Sequence, residues 1–194
     1  MGIKDIILRL KRAMISEGID PQKDLGTDLF VFSSTLMPVV NVDLLVANRQ
    51  GQFLLAWRDD PHCGTGWHIP GGCIRFKETA EERIKKTAEA ELGAEVEYAK
   101  EPCAVFEIIS NELRPGLEDQ SERAHAITLV YVCKVPERYE INNNNKAPGD
   151  VGYLKWFDKL PDDLVQVQNC YKERWSELYS ILRRYIDGNL EKRG

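Results

Sequence analysis

Residues 70 to 93 read PGGCIRFKETAEERIKKTAEAELG, a glycine turn followed by one helix. Thr79 followed by Glu82 forms a capping box, which starts a helix there. Ala80, Ile84 and Ala88 recur every four residues as an apolar stripe, and Gly93 closes the helix as a C-cap. At roughly 100° per residue, Glu91 falls within about 20° of Ile84 on that stripe, whereas Glu82, Lys86 and Glu89 face the other way. A carboxylate aimed at a core is expensive unless something pairs with it, and a divalent cation is one such partner. The plain alternative is a solvated acidic helix whose last turn lets Glu91 curl outward. Pro70-Gly71-Gly72 weighs against it, because glycines let the backbone approach closely and turn a carbonyl toward a metal.

Gly72, Glu78, Glu91 and Gly93 stand at the spacing of the Nudix box, and the segment resembles that signature. Lys86 takes the place of its Arg and keeps the charge without the planar fork. Thr87 and Ala90 replace two of the box's metal-binding carboxylates. The resemblance is strongest to the GDP-mannose mannosyl hydrolase branch, whose box is depleted in the same way. It continues upstream through VDLLVANRQGQFLLAWRDDPHCGTGWHIPGG and covers roughly residues 28 to 175. It implies an α+β fold, an α/β/α sandwich with a mixed sheet, the box helix and a C-terminal helix on its faces. It also implies Mg²⁺, with Mn²⁺ as an alternative ion, and a homodimer.

On that match Asp43 and Arg58 take substrate-binding positions. Glu91, the Gly71 carbonyl and Asp150 form the metal set, and Arg58 and Glu91 carry catalysis. Gly72, Glu78, Lys86 and Gly93 are structural parts of the box. Counting back from Trp156 sets Asp150 at the position of a metal-ligating Gln. Val151 then falls at the position of the base, a His, and cannot take a proton. No His lies between 126 and 194. By its residues alone Asp43 also reads as a solvent-facing strand residue or half of a salt bridge, while Arg58, at a strand end, can grip a pyrophosphate bidentately.

Ile3, Ile6, Ile7, Leu10 and Met14 have helical spacing, and Pro21 and Gly26 mark a linker. We therefore divide the chain into an N-terminal amphipathic helix and linker, 1–26, and a hydrolase domain, 27–194. Thr27 caps a short second helix running to about Leu36. The first helix must bury its stripe on a second subunit or against the C-terminal helix near Trp175. Strands are expected at 39–47, 52–58, 67–75 (broken by the glycine turn), 103–111, 126–134 and 153–158, and a C-terminal helix from about Cys170. A charged loop spans 112 to 125. The Asn-rich loop 142 to 150 has a composition that predicts disorder without ligand. His62 reads as exposed. His68 alternates with Trp67 before the glycine turn, and none of the three histidines has the i, i+4 partner of a zinc pair.

A hydrophobic content of 43% with 29% charged residues supports a full core. The net charge of −5, with no basic block, argues against nucleic acid or an anionic membrane as main partner. Five cysteines without a C-x-x-C pair, and a start that is neither signal peptide nor membrane span, point to the reducing cytoplasm. These readings converge on a Mg²⁺-dependent hydrolase of a nucleoside-diphosphate sugar that displaces the nucleoside diphosphate. The alternatives are a pyrophosphatase cleaving P–O, a nucleotide-sugar binding or regulatory protein that has lost catalysis, and a dimer module with a vestigial site.

Overall fold

The computed structural model describes residues 2–34, 36–60, 63–109, 125–188 and 192–193. His62 and most of the charged loop, 112–124, lie outside them. The chain folds as an α+β domain around one mixed sheet. Its strands are β1 (Val39–Ala47), β2 (Phe53–Asp60), β3 (Gly64–His68), β4 (Gly71–Cys73), β5 (Glu97–Ala99), β6 (Ala104–Ile109), β7 (His125–Lys134), β8 (Leu154–Phe157) and β9 (Lys192–Arg193). The helices are α1 (Ile3–Ser16), α2 (Gly26–Ser34), α3 (Ala80–Thr87) and α4 (Cys170–Ile186). β1 and β7 pair in parallel along the whole of β1, and every other pairing is antiparallel.

Both faces of the central strands are covered, as an internal parallel pair requires. On one face Leu45, Ala47, Phe53, Leu55 and Val132 pack with Tyr171, Leu178, Leu182 and Tyr185 of α4. On the other, Val42, Leu44, Val46, Leu54 and Ala56 pack with Ile84 and Ala88 of the box helix. Burying each large apolar side chain stabilises the fold by roughly 1.5–3 kcal/mol. This double cover decides the surroundings of Asp43. It lies opposite the Val42 face, yet is only 6% exposed, so the solvent-facing alternative does not hold.

The register opens a cleft. β1 and β2 are paired next to their hairpin, at Ala47–Phe53. Farther along, β1 pairs with β4, while β2 pairs with β3 and β8. The single strand expected at 67–75 is thus two strands in separate ladders, parted at Ile69-Pro70. Proline has no N–H to continue a ladder.

The box helix begins as its sequence predicts. Thr79 Oγ1 accepts from the Glu82 N–H at 3.1 Å, and the Glu82 carboxylate accepts from the Thr79 N–H at 2.8 Å. It does not run on as one α-helix. Ala88–Leu92 widens into a π-turn, and Gly93 closes it at φ 64°. The Ala94 N–H donates to the Ala88 carbonyl, a closing bond one residue wider than that of a Schellman cap. Such π-turns recur at functional sites.

Two further expectations change. No residue of α1 is buried, and Ile3 is 72% exposed. Trp175 packs instead on Phe53 and Tyr179, so α1 does not cover α4 there. The Asn-rich loop is pinned rather than loose: the Asn143 side chain accepts from the Leu154 N–H at 2.8 Å and donates to its carbonyl at 3.1 Å. Among the described residues no helix is long and apolar enough to cross a membrane. None of the five cysteines, all of them described residues, forms a disulfide.

Candidate active site

A cavity of about 390 Å³ occupies the cleft, with Asp43, Arg58, His68, Gly71, Gly72 and Gln168 in its lining. Three charged or polar groups meet at one edge. Arg58 Nη2 lies 3.8 Å from Glu91 Oε1, and His68 Nε2 lies 3.1 Å from Glu91 Oε2. Arg58 Nη2 is also 3.3 Å from His68 Nε2. Glu91 stands behind these two lining residues, with 23% of its side chain exposed, while Glu89 points to solvent. The helical phase read from the sequence and the packed helix agree on that division. The His68 Nδ1–H donates to the Ala56 carbonyl at 2.8 Å, which fixes the ring. In its charged form the ring also donates to Glu91; in its neutral form Nε2 accepts from Arg58.

Asp43 forms the buried floor. Its Oδ2 accepts from the Tyr171 hydroxyl at 2.7 Å and from Gln168 Nε2 at 3.1 Å. Gln168 also accepts from the Ile69 N–H at 2.7 Å and donates to its carbonyl at 3.2 Å, tying Asp43 to the residue before the glycine turn. Burial, reinforced by the Glu91 charge, pushes the Asp43 carboxyl up to about 7, although Tyr171, Arg58 and Gln168 hold it down in part.

The glycine turn is shaped by steric exclusion. Asp43 and Gly71 face each other between the bonded pairs Leu44–Pro70 and Val42–Gly72, which leaves the Gly71 carbonyl off the β1 ladder. A Cβ on Gly71 would fall on Asp43 Oδ1 and within 2.9 Å of the Val42 carbonyl oxygen. Gly71→Ala should therefore destabilise the protein by about 1–3 kcal/mol, the usual range for overpacking. Urea unfolding of the variant checks this, and an unchanged midpoint would remove the steric account.

The box carboxylate Glu78 is a structural hub. Its oxygens accept from Lys86 Nζ at 2.8 Å, from Arg83 Nε at 2.8 Å and from the Arg75 N–H at 2.8 Å. Burial alone would raise its pKa, but these partners outweigh it and hold the carboxyl below the usual range. Arg83 restores, one turn early, the fork that Lys86 lacks. Gly93 caps the π-turn. A Cβ on Gly72 would come within 2.8 Å of Thr87 Oγ1 and 3.0 Å of Arg83 Cδ, so the turn and the helix touch.

Asp150 stands apart from the cavity. Its carboxylate accepts from the Ala147 N–H at 2.7 Å within its own exposed loop, and Val151 is 59% exposed. Tyr153 and Gly152 bond to Trp57 of β2, and the loop that carries Asp150 lies outside the cavity lining. Conversely, His68, Gln168 and Tyr171 belong to the site and were not among its expected members. Tyr171 lies in α4, the C-terminal helix, with its ring in the core and its hydroxyl on Asp43.

The donor set fits Mg²⁺ in one way. Among the described residues no three His, Cys, Asp or Glu side chains converge to hold a metal. Mg²⁺, however, is bound through one or two carboxylates with waters and substrate phosphates. Glu91 supplies a carboxylate and Gly71 an unladdered carbonyl. Thr87 Oγ1, at a box carboxylate position, is buried and has no hydrogen-bond partner among the described residues.

Comparison with known proteins decides the family. The NUDIX domain model matches residues 37–169. The chain belongs to the Nudix family. It is 33% identical over 60 residues to the low-salt glycan biosynthesis protein Agl8 of Haloferax volcanii, a match covering 31% of this chain and 38% of Agl8. The chain thus spans about two fifths of that relative's length. Two solved structures share the fold. A MutT NUDIX hydrolase from Burkholderia pseudomallei superimposes with a TM-score of 0.50 at 21% identity, over 71% of this chain and 97% of that one. A UDP-X diphosphatase gives 0.53 at 18% identity, over 93% and 81%. As a Nudix protein the chain is assigned to a hydrolase family that acts on small-molecule substrates and generally uses divalent metals.

Proposed function

We propose that this Nudix protein hydrolyses a nucleoside-diphosphate sugar with Mg²⁺, in the manner of the GDP-mannose mannosyl hydrolases, releasing sugar and nucleoside diphosphate. The observation that carries the reading is the Arg58–His68–Glu91 cluster at the edge of a cavity whose floor is the buried Asp43. Glu91 and the Gly71 carbonyl would hold the ion, which when bound neutralises charge on the departing diphosphate. Arg58 grips the same diphosphate with paired N–H groups. His68 orients Glu91 when its ring is charged and accepts from Arg58 when it is neutral. Asp43, held on one oxygen by Tyr171 and Gln168, offers the other to a sugar hydroxyl. Asp150 is left out of this set, because its loop faces away.

With one carboxylate, already paired to Arg58 and His68, the ion arrives with the substrate's phosphates. Mg²⁺ alone should bind weakly, and nucleoside diphosphate should tighten it by at least about fivefold, the smallest of the usual coupling factors. Calorimetry with each alone and both together checks this; tight binding of the ion alone would show a missed ligand. Water attack on the sugar is the leading course. Attack on phosphorus is favoured by the lack of any His between 126 and 194, and loss of catalysis by Thr87 and Ala90. Hydrolysis of a nucleotide-sugar panel in ¹⁸O-labelled water separates them. Label in the sugar supports the proposal, label in phosphate replaces it with a pyrophosphatase, and saturable binding without product identifies a binding protein.

A further inference from the structure

The cavity reaches beyond the region that the family model covers. Its lining includes Asp24, Gly26, Thr27 and Phe30, all ahead of residue 37. The sheet register shows where this end lies. Val39 pairs with Ala126, and Ala126 with Ile108. All three line the cavity, and Arg75 continues the β4 side past Cys73, which pairs with Asn41. Asp43 and Val39 share a face and are four residues apart, roughly 13 Å along a strand. The charged edge and this second end are therefore separated by about the stretch of a diphosphate and a ribose.

The second end has its own chemistry. The Arg75 guanidinium lies over the Phe30 ring at 5.8 Å, and its Nη2 is 3.4 Å from Asp24 Oδ1. Arg75 Nε is buried and has no hydrogen-bond partner among the described residues. A buried unpaired N–H is costly, and a ligand acceptor is one way to satisfy it. Val39, Ile108 and Ala126 supply an apolar floor, with Asn41 and Thr128 one row away as polar groups. A flat wall of aromatic ring and guanidinium over an apolar floor suits a planar heterocycle, because rings stack on both surfaces.

We propose that Phe30 and Arg75 form the base-binding wall of the site, so that the segment ahead of the family domain, and not the box, selects the nucleobase end of the substrate. This rests on the nucleotide reading above. Phe30 stacks with the base, Arg75 pairs with an acceptor on the ring or the sugar, and Asp24 holds Arg75 until the ligand enters.

The test compares a ligand that has a base with one that does not. ADP, GDP and UDP, and inorganic pyrophosphate, are titrated into the full chain with Mg²⁺ by calorimetry. The parent protein should bind at least one nucleoside diphosphate more tightly than pyrophosphate. Phe30→Ala should weaken that nucleotide by about tenfold to a hundredfold, the range for removing one stacking partner, and leave pyrophosphate unchanged. Phe30→Trp, which keeps a flat ring, should bind the nucleotide as the parent does. Equal loss of nucleotide and pyrophosphate in Phe30→Ala, or loss of nucleotide in Phe30→Trp, overturns the wall. Unchanged nucleotide binding in Phe30→Ala overturns it and leaves the hydrolase reading intact. A parent protein that binds neither nucleotide nor pyrophosphate overturns the hydrolase reading, and the wall with it.

Discussion

Glu91→Gln is expected to lower turnover of a nucleotide sugar by at least about a hundredfold, the scale of losing a main electrostatic contact in a catalytic site. The substitution keeps the size of the side chain and an oxygen that can accept from His68. What it removes is the charge, and with it the carboxylate offered to Mg²⁺ and the counter-ion of Arg58 at 3.8 Å. The Mg²⁺ concentration needed for half-maximal rate should rise in the same variant. Glu89→Gln is the control, two residues away and exposed on the outer side of the π-turn. It should leave both quantities nearly unchanged. Steady-state rates over a Mg²⁺ series measure both effects, and two variants that behave alike would place Glu91 outside the chemistry.

How much of this was legible beforehand follows from the kind of contact involved. Local patterns were readable. Thr79 and Glu82 sit three residues apart and report on each other, so the helix start appears in the sequence itself. The strand expected at 39–47 and the C-terminal helix expected from about Cys170 rest on short-range patterns too, and both form there. The position of Glu91 on the inner side was readable for the same reason. The π-turn was not, since it depends on how the last turn packs on the sheet. Arg58 belongs to the site because β2 leaves β1 after their hairpin, a matter of strand pairing. The Asp43 network is the extreme case: Tyr171 is 128 residues away and Gln168 is 125. Neither carries a local sign of its partner. Asp150 is the complementary case. Its place was counted back from Trp156, a local count, whereas in the fold Asn143 and the Gly152–Trp57 bond set the path of its loop.

The second large effect concerns pH and comes from the same network. Asp43 has an ordinary pKa of 3.8, and burial pushes it up to about 7 in the folded protein. Between those values the folded protein keeps a proton that the unfolded chain has released. The stability from the neutral carboxyl is fully present below about pH 4, falls as pH rises through this window, and levels off above about 7. A shift of about three units at roughly 1.4 kcal/mol each corresponds to about 4 kcal/mol at most. Asp43→Asn should remove this dependence. An amide oxygen can still accept from the Tyr171 hydroxyl and Gln168 Nε2, and the amide nitrogen would occupy the place of Oδ1 beside Gly71. The variant should then match the parent at low pH and exceed it at pH 8 by up to about 4 kcal/mol. The parent's affinity for a nucleoside diphosphate should fall relative to the variant's from pH 6 to 8, as Asp43 ionises beneath an anionic ligand. Urea unfolding of both proteins across pH 5 to 8 measures the difference. A constant gap between the two curves would mean that Asp43 is already ionised in the fold, and that the cavity floor is wetter than its burial indicates.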